Sequence, residues 1–259
     1  MEVVLLPDAD GAARTVAGII ERAITGGAKT LGLAAGSSPL SVYQDLIRRH
    51  RQEGLSFAGI DAFLLDEYAG LSPSHPQSHA QVIRRELVDH IDLDPARVHV
   101  PQGSASDLQQ EARRFERALT GAGPVGVQIL GIGVNGHIAF NEPGSSLASR
   151  TRLKTLTDDT RRDNERSFGG LDQVPRNAIT QGLATIGAAS HLVLIATGPH
   201  KAHAVAAAVE GPVTTQCPAS ILQLHPHATV VVDELAAARL EQQRYYRHIA
   251  HHKPPGQGY

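Results

Sequence analysis

Residues 125–144, VGVQILGIGVNGHIAFNEPG, decide the predicted fold. The first six residues are an apolar run bounded by glycine and proline, which predicts a buried strand. A glycine-rich loop follows, and loops that leave the carboxyl ends of strands are where open α/β folds place their chemistry. This loop carries His137 and Glu142, five positions apart.

The same loop contains a second pattern, because Gly131, Gly133 and Gly136 spell G-x-G-x-x-G. That dinucleotide-binding motif requires a helix to begin at its third glycine. Pro143 and Gly144 follow too soon for a helix of useful length. The glycines therefore favour a tight active-site loop over a pyrophosphate cradle.

On both sides of this segment, apolar runs that predict strands alternate with stretches in which apolar residues recur at helical spacing. We expect strands at 3–6, 30–33, 62–65, 98–100, 125–130, 191–195 and 229–232. We expect helices around 16–24, 40–47, 81–91, 105–119, 178–186, 202–209 and 236–246. The alternation predicts an α/β fold, Rossmann-like, with a mainly parallel sheet covered by helices on both faces. Residues 1–259 are interpreted as a single domain with a flexible lid segment at 145–174 and a polar tail at 248–259.

Composition limits the function classes. Of 259 residues, 41% are apolar and 19% are charged, as in an ordinary globular protein. A net charge of -2 offers no broad basic surface, so we expect no nucleic-acid partner. The single cysteine, Cys217, excludes an internal disulfide and indicates a reducing compartment, the cytoplasm. The sequence shows neither a basic leader with an apolar core nor a membrane span, so we expect no signal peptide and no membrane partner.

The first candidate site is an anion site at residues 32–40, GLAAGSSPL. Small residues fill a turn between a strand and a helix whose first position suits Pro39. Backbone N–H groups at Gly36, Ser37 and Ser38, with two hydroxyls, suit a phosphate. The alternative is that Ser38 is a simple N-cap.

The second candidate is Asp66, at the end of a strand and next to Glu67. A carboxylate in a partly dry cleft can act as a general base. A helix cap or a salt bridge is the alternative.

The third candidate is His137, with Asn135 and Glu142 on either side. An imidazole both takes and gives a proton near neutral pH, and an amide or carboxylate beside it fixes its tautomer. A purely structural histidine is the alternative.

The fourth candidate is Lys201, in the first turn of a helix, where a cation is slightly unfavourable unless it binds an anion. Chance placement on a solvated face is the alternative.

His75 and His79 have metal-ligand spacing, but His75 precedes a proline and a third ligand is missing, so we expect no metal.

Together these segments resemble the glucosamine-6-phosphate deaminase family, over nearly the whole chain. Residues 136–154, GHIAFNEPGSSLASRTRLK, are the most specific part, and LDEY at 65–68 and LQLHP at 222–226 add to it. The 6-phosphogluconolactonases share the fold and the Gly-His pair but lack the Phe-Asn-Glu-Pro-Gly continuation.

The resemblance implies a hydrolase that converts glucosamine 6-phosphate and water to fructose 6-phosphate and ammonia in amino-sugar catabolism, without a metal or other cofactor. By similarity, His137 opens the ring with Asn135 and Glu142, and Asp66 moves a proton from C2 to C1. The phosphate ligands it implies are residues 36–38, Arg166 and Lys201.

The resemblance also implies a homo-oligomer, with a hexamer as one form. It matches four positions that bind a regulatory N-acetylglucosamine 6-phosphate between subunits, namely Ser145, Arg152, Lys154 and Tyr245. Some relatives carry aspartate in place of Asn135, so the pH profile is expected to differ from theirs. Two alternatives stay open: a lactonase-like or other sugar-phosphate enzyme, and a non-catalytic sugar-phosphate sensor.

Overall fold

The structure is a computed structural model that describes residues 1–254 and 258–259. Within them, the strands of the central sheet are β1 (Glu2–Leu6), β2 (Thr30–Leu33), β3 (Asp61–Leu64), β5 (Val98–His99), β6 (Val127–Leu130), β9 (Leu192–Ala196) and β10 (Ala228–Asp233). All the pairings are parallel, in the order β1-β10-β9-β6-β2-β3-β5. This confirms the predicted α/β fold with a mainly parallel sheet.

Helices lie on both faces of this sheet and beside it. They are α1 (Ala9–Thr25), α2 (Ser37–Glu53), α3 (His79–Glu86), α4 (Leu108–Gly121), α5 (Asp158–Phe168), α6 (Leu183–Ile186), α7 (Ala202–Val209) and α8 (Gln243–His251). Successive residues of one strand enter opposite layers: Ile129 packs in the apolar cluster of α1 and α2, whereas Leu130 packs in that of α4 and α7. A sheet buried on both faces explains the near-continuous apolar runs of its strands.

A small antiparallel sheet was not predicted. It consists of β4 (Asp66–Tyr68), β8 (Asn177–Thr180) and β7 (Arg152–Thr155), in the order β4-β8-β7. The helix predicted at 178–186 is therefore wrong in its first half, because β8 pairs with a strand on each side and only Leu183–Ile186 is helical. Tertiary pairing outweighs local propensity in so short a segment.

Two further boundaries differ from the sequence prediction. The helix expected at 81–91 ends at Glu86 and continues as a short 3₁₀ turn at Val88–His90. The helix expected at 236–246 begins only at Gln243, because the Asp233 carboxylate accepts the Ala236 N–H at 2.7 Å and holds a turn there.

The segment 145–174 is not an irregular excursion, since it contains β7 and α5. Its motion as a lid stays a prediction. In the tail 248–259, His248 and His251 belong to α8 and are exposed, and residues 255–257 lie outside the described part. In the part of the chain that the structure describes, none of the helices is long and apolar enough to span a membrane.

Candidate active site

A cavity of about 220 Å³ lies at the carboxyl ends of the central strands. Its walls come from the loop after β2, the junction of β3 and β4, the loop after β6, the turn after β9 and helix α5. Among the predicted residues, the structure places the following in its lining: Gly36, Ser37, Ser38, Asp66, His137 and Lys201. Four segments far apart in sequence thus meet where an α/β sheet positions a ligand.

The loop after β2 presents a helix N-terminus to the cavity. Gly36 is the N-cap of α2 with φ 153°. Because glycine has no side chain to accept a hydrogen bond, the first N–H groups of the helix are left for another acceptor. Helix α2 begins at Ser37, two residues before Pro39, so the prediction that Pro39 takes the first position is wrong. Ser38 is not the N-cap either, and its Oγ lies 3.3 Å from Thr197 Oγ1.

Lys201 comes from the turn after β9 and lines the same cavity as this loop. It ends a 3₁₀ turn, Pro199–Lys201, immediately before α7, rather than standing inside the helix. Burial lowers the pKa of its ammonium group, and the Asp163 carboxylate opposes that effect. A partly desolvated cation beside a helix N-terminus is suited to an anion such as a phosphate.

His137 is held in one tautomer. Asn135 Oδ1 lies 2.7 Å from His137 Nδ1, and it also accepts the His137 backbone N–H at 3.1 Å. The carboxamide oxygen can only accept, so Nδ1 carries the proton and Nε2 is left as the basic nitrogen. Gly133 makes room for the ring, since a Cβ there would stand 2.1 Å from His137 Cε1.

Glu142 holds the other end of the Asn135 carboxamide. Its Oε2 accepts from Asn135 Nδ2 at 3.0 Å, and its Oε1 accepts the Thr157 N–H at 2.9 Å. Burial acts to raise the pKa of Glu142, but these hydrogen bonds and the nearby imidazole hold it below the ordinary value. Burial lowers the pKa of His137, with the Glu142 charge opposing, so the imidazole is neutral at physiological pH.

The two adjacent acids have different roles. Asp66 is buried and lines the cavity, with its Oδ1 2.7 Å from His79 Nδ1. Glu67 instead caps helix α3, because its two oxygens accept the backbone N–H groups of His79 and Ala80, each at 3.0 Å. The helix-cap alternative therefore describes Glu67, whereas Asp66 pairs with His79 through Oδ1 and also lines the cavity.

Sequence reasoning missed three cavity residues. His79 was considered only as a metal ligand, and Asp163 and Asn164 of α5 were not considered at all. The acidic, polar face of α5 gave no signal that distinguished it from a solvated helix. Within the described residues, we find no group of three or more histidine, cysteine, aspartate or glutamate side chains placed to hold a metal ion.

Arg166 is not among the residues that line the cavity. It lies on α5 with an exposed side chain, and the same helix lines the cavity with Asp163 and Asn164 instead. Arg166 is one helical turn beyond Asp163, and residues three apart share a helix face, so its contact with a phosphate stays a prediction.

The four positions matched to an effector site are not gathered in one chain either. Ser145 is buried and its Oγ has no hydrogen-bond partner among the described residues. Arg152 Nη1 donates to Asn141 Oδ1 at 2.9 Å, and Lys154 is half-buried on the same strand, β7. Tyr245 is exposed on α8, which packs against β1 at the far edge of the central sheet. A single chain thus leaves Tyr245 apart from the other three.

Taken together, the fold and the cavity define an α/β enzyme that performs acid–base chemistry on a small anionic substrate. A sequence model of the family described as glucosamine-6-phosphate isomerases/6-phosphogluconolactonase matches residues 8–232. The glucosamine-6-phosphate deaminase of Rhodococcus opacus is 54% identical over 259 residues, covering 100% of both chains.

Solved structures agree with this. A monomeric glucosamine-6-phosphate deaminase is 41% identical and has a TM-score of 0.91, with 92% of this chain and 100% of that chain covered. The 6-phosphogluconolactonase from Trypanosoma cruzi is 16% identical with a TM-score of 0.74, covering 93% and 97% of the two chains, which is a likeness of fold alone. The chain belongs to the glucosamine-6-phosphate deaminase family.

Proposed function

We propose that this protein is a cytoplasmic glucosamine-6-phosphate deaminase that converts its substrate and water to fructose 6-phosphate and ammonia. One observation carries the proposal: Asp66 and an imidazole fixed in its Nδ1–H tautomer line one cavity with a helix N-terminus and Lys201. The substrate requires these features, because it carries a phosphate at one end and reacts by proton transfers at the other.

The first step is ring opening. His137 Nε2 takes the proton of the anomeric hydroxyl. It gives a proton to the ring oxygen as the bond between C1 and the ring oxygen breaks, which yields the open-chain aldehyde. A neutral imidazole is needed to begin this step, and the burial that lowers the pKa of His137 provides it. Asn135 keeps the accepting nitrogen directed at the substrate.

The second step is isomerisation. The carboxylate of Asp66 removes the proton on C2 while the aldehyde oxygen on C1 gains the proton that the substrate's ammonium group gives up, which yields an enolamine. The Asp66 carboxyl group then returns its proton to C1. The product is an imine at C2, which water hydrolyses to the ketone and ammonia. Because water breaks the carbon–nitrogen bond, the reaction is that of a hydrolase. The phosphate rests on residues 36–38 and Lys201 throughout, and no metal or other cofactor is needed for these steps.

The direct test is ammonia release from glucosamine 6-phosphate by the purified protein, with fructose 6-phosphate measured in the same sample. We expect the two products in equal amounts. N-acetylglucosamine 6-phosphate and 6-phosphogluconolactone serve as comparison substrates. Turnover of the lactone without ammonia release from the amino sugar would replace the proposal by a lactonase.

We also propose that N-acetylglucosamine 6-phosphate regulates a homo-oligomer through the four positions named above. The separation of Tyr245 from Arg152 in one chain supports a site shared between subunits. Sedimentation with and without this sugar phosphate tests the assembly. A monomer whose rate is unaffected by the ligand would contradict it.

A further inference from the structure

His79 contacts the proposed general base. It is the first residue of α3, it lines the cavity and its side chain is almost fully buried. Its Nδ1 lies 2.7 Å from Asp66 Oδ1 and 3.2 Å from the Asp66 main-chain oxygen. Both of these oxygens are acceptors, so Nδ1 is the donor, and one oxygen of the carboxylate is occupied before any substrate arrives.

The imidazole of His79 is fixed from three sides. Its ring lies parallel to that of Phe140, with centroids 5.7 Å apart, and meets Tyr68 edge-on at 5.0 Å. Its backbone N–H donates to Glu67 Oε1 at 3.0 Å, which anchors the start of the helix. This packing places the donor nitrogen rigidly, as a positioning group requires.

The charges around the ring favour the same contact. The titratable groups that face it are Asp66, Glu67 and Tyr68. Burial acts to lower the pKa of the His79 imidazole, but the two carboxylates outweigh burial and hold it above its ordinary value.

We propose that His79 is a positioning residue for the Asp66 carboxylate: its Nδ1–H holds Oδ1 in place so that Oδ2 alone exchanges a proton with C2 and C1 of the substrate. The proposal rests on the proposed deaminase function. Oδ1 accepts the hydrogen bond whether the carboxyl group is charged or protonated, so the geometry is retained while the proton rests on Oδ2. The same oxygen that takes the proton from C2 then returns it to C1.

Three substitutions of His79 distinguish a role in orienting the Asp66 carboxylate from a role in packing. His79→Phe keeps a flat ring between Phe140 and Tyr68 but removes the donor. His79→Asn places an amide nitrogen near the position of Nδ1, whereas His79→Gln places it near that of Nε2. The matched control is His75→Phe in the preceding loop, which keeps the stacking on Phe168 and removes an imidazole hydrogen bond that does not involve Asp66, the one His75 Nδ1 accepts from the Gln77 N–H at 3.1 Å.

We expect His79→Phe to lower kcat by about 10- to 100-fold, the effect of misplacing a reacting group by up to an ångström. KM should change little, since the phosphate contacts are untouched. With substrate deuterated at C2, the isotope effect on kcat should rise, because proton removal becomes the slow step. His79→Asn should recover most of the rate, His79→Gln less, and His75→Phe should behave as wild type.

Equal rates for the Asn and Gln variants, or an unchanged isotope effect in His79→Phe, would overturn the positioning role and leave His79 as a packing residue. If His79→Phe does not fold, the comparison of Asn with Gln decides alone. Failure of the wild type to release ammonia would instead reject the deaminase function, so the two failures are distinguishable.

Discussion

At the scale of single residues, the site depends on side chains that hold other side chains. Asn135 orients His137 through Nδ1 and is itself held by Glu142. An amide can direct the imidazole but contributes no charge to it. The imidazole therefore loses the stabilisation of its protonated form that a carboxylate at this position would give.

Asn135→Asp tests this. A carboxylate 2.7 Å from Nδ1 stabilises the imidazolium and so raises the pKa of His137. Because His137 acts as a base in its neutral form, the acidic limb of kcat/KM against pH should move to higher pH, by about one unit. Asn177→Asp adds the same charge on β8, away from the cavity, and should leave the profile in place. A shift to lower pH in Asn135→Asp would contradict the account.

Some of these residues could be predicted from sequence and others could not. Asp66 and His137 follow directly after buried strands, so their place at one edge of a parallel sheet follows from strand order. His79 gave no such signal, because its partner Asp66 is 13 positions away and the intervening loop has no fixed geometry. Arg166 was assigned by resemblance alone, because nothing in the local pattern of α5 separates it from the other exposed residues of that helix.

At the scale of elements, Glu116 of α4 fastens the segment that precedes β7. Its Oε2 accepts the Thr151 N–H at 3.1 Å and the Thr151 hydroxyl, and the Thr185 hydroxyl of α6 lies 3.0 Å from the same oxygen. Arg150 Nε is 2.8 Å from Oε1. One carboxylate thus joins α4, α6 and residues 150–151, which lie inside the proposed lid segment.

We expect Glu116→Ala to lower the free energy of unfolding by about 1 to 3 kcal/mol, because it leaves the Thr151 N–H without its acceptor. Urea unfolding measures this, and Arg117→Ala, at an exposed neighbour on the same helix, is the control. A loss no larger than that of Arg117→Ala would mean that the Glu116 hydrogen bonds contribute nothing to the free energy of unfolding.

Elements that are buried in the main core could be predicted, and those that depend on pairing in the small sheet could not. Helices α1 and α2 and the strands β6 and β10 carry an unbroken pattern, because each buries a whole face in the core. The strands of the small sheet are three or four residues long, and they are defined by their partners rather than by their own composition.

At the scale of the whole molecule, the two edges of the central sheet differ. The cavity lies at the carboxyl ends of the strands, whereas two histidines lie at the amino ends, immediately before β9 and β10. His191 and His227 stack with ring centroids 3.6 Å apart, and His191 Nε2 lies 2.9 Å from Thr229 Oγ1. Burial, with the neighbouring histidines and other cations, lowers the pKa of His191 to about 4.

The buried His191 should make the folded protein less stable in acid. Between its ordinary pKa of about 6.5 and its folded value, His191 binds a proton in the unfolded chain but not in the folded one, so stability falls as pH decreases through that range. The loss is at most about 3 kcal/mol. Unfolding measured at pH 7 and pH 4.5 should show a smaller loss in His191→Gln than in wild type, with exposed His90→Gln matching wild type. Equal losses in all three proteins would exclude His191 as the cause.

The central claim is that Asp66 faces the second carbon of a phosphorylated amino sugar held in the cavity. The most direct measurement compares wild type with Asp66→Asn for ammonia release from glucosamine 6-phosphate and for calorimetric binding of a reduced, ring-opened analogue. We predict that the variant loses turnover, since an amide cannot take the C2 proton, while its affinity for the analogue stays nearly unchanged. Turnover retained, or turnover and binding lost together, would contradict the account.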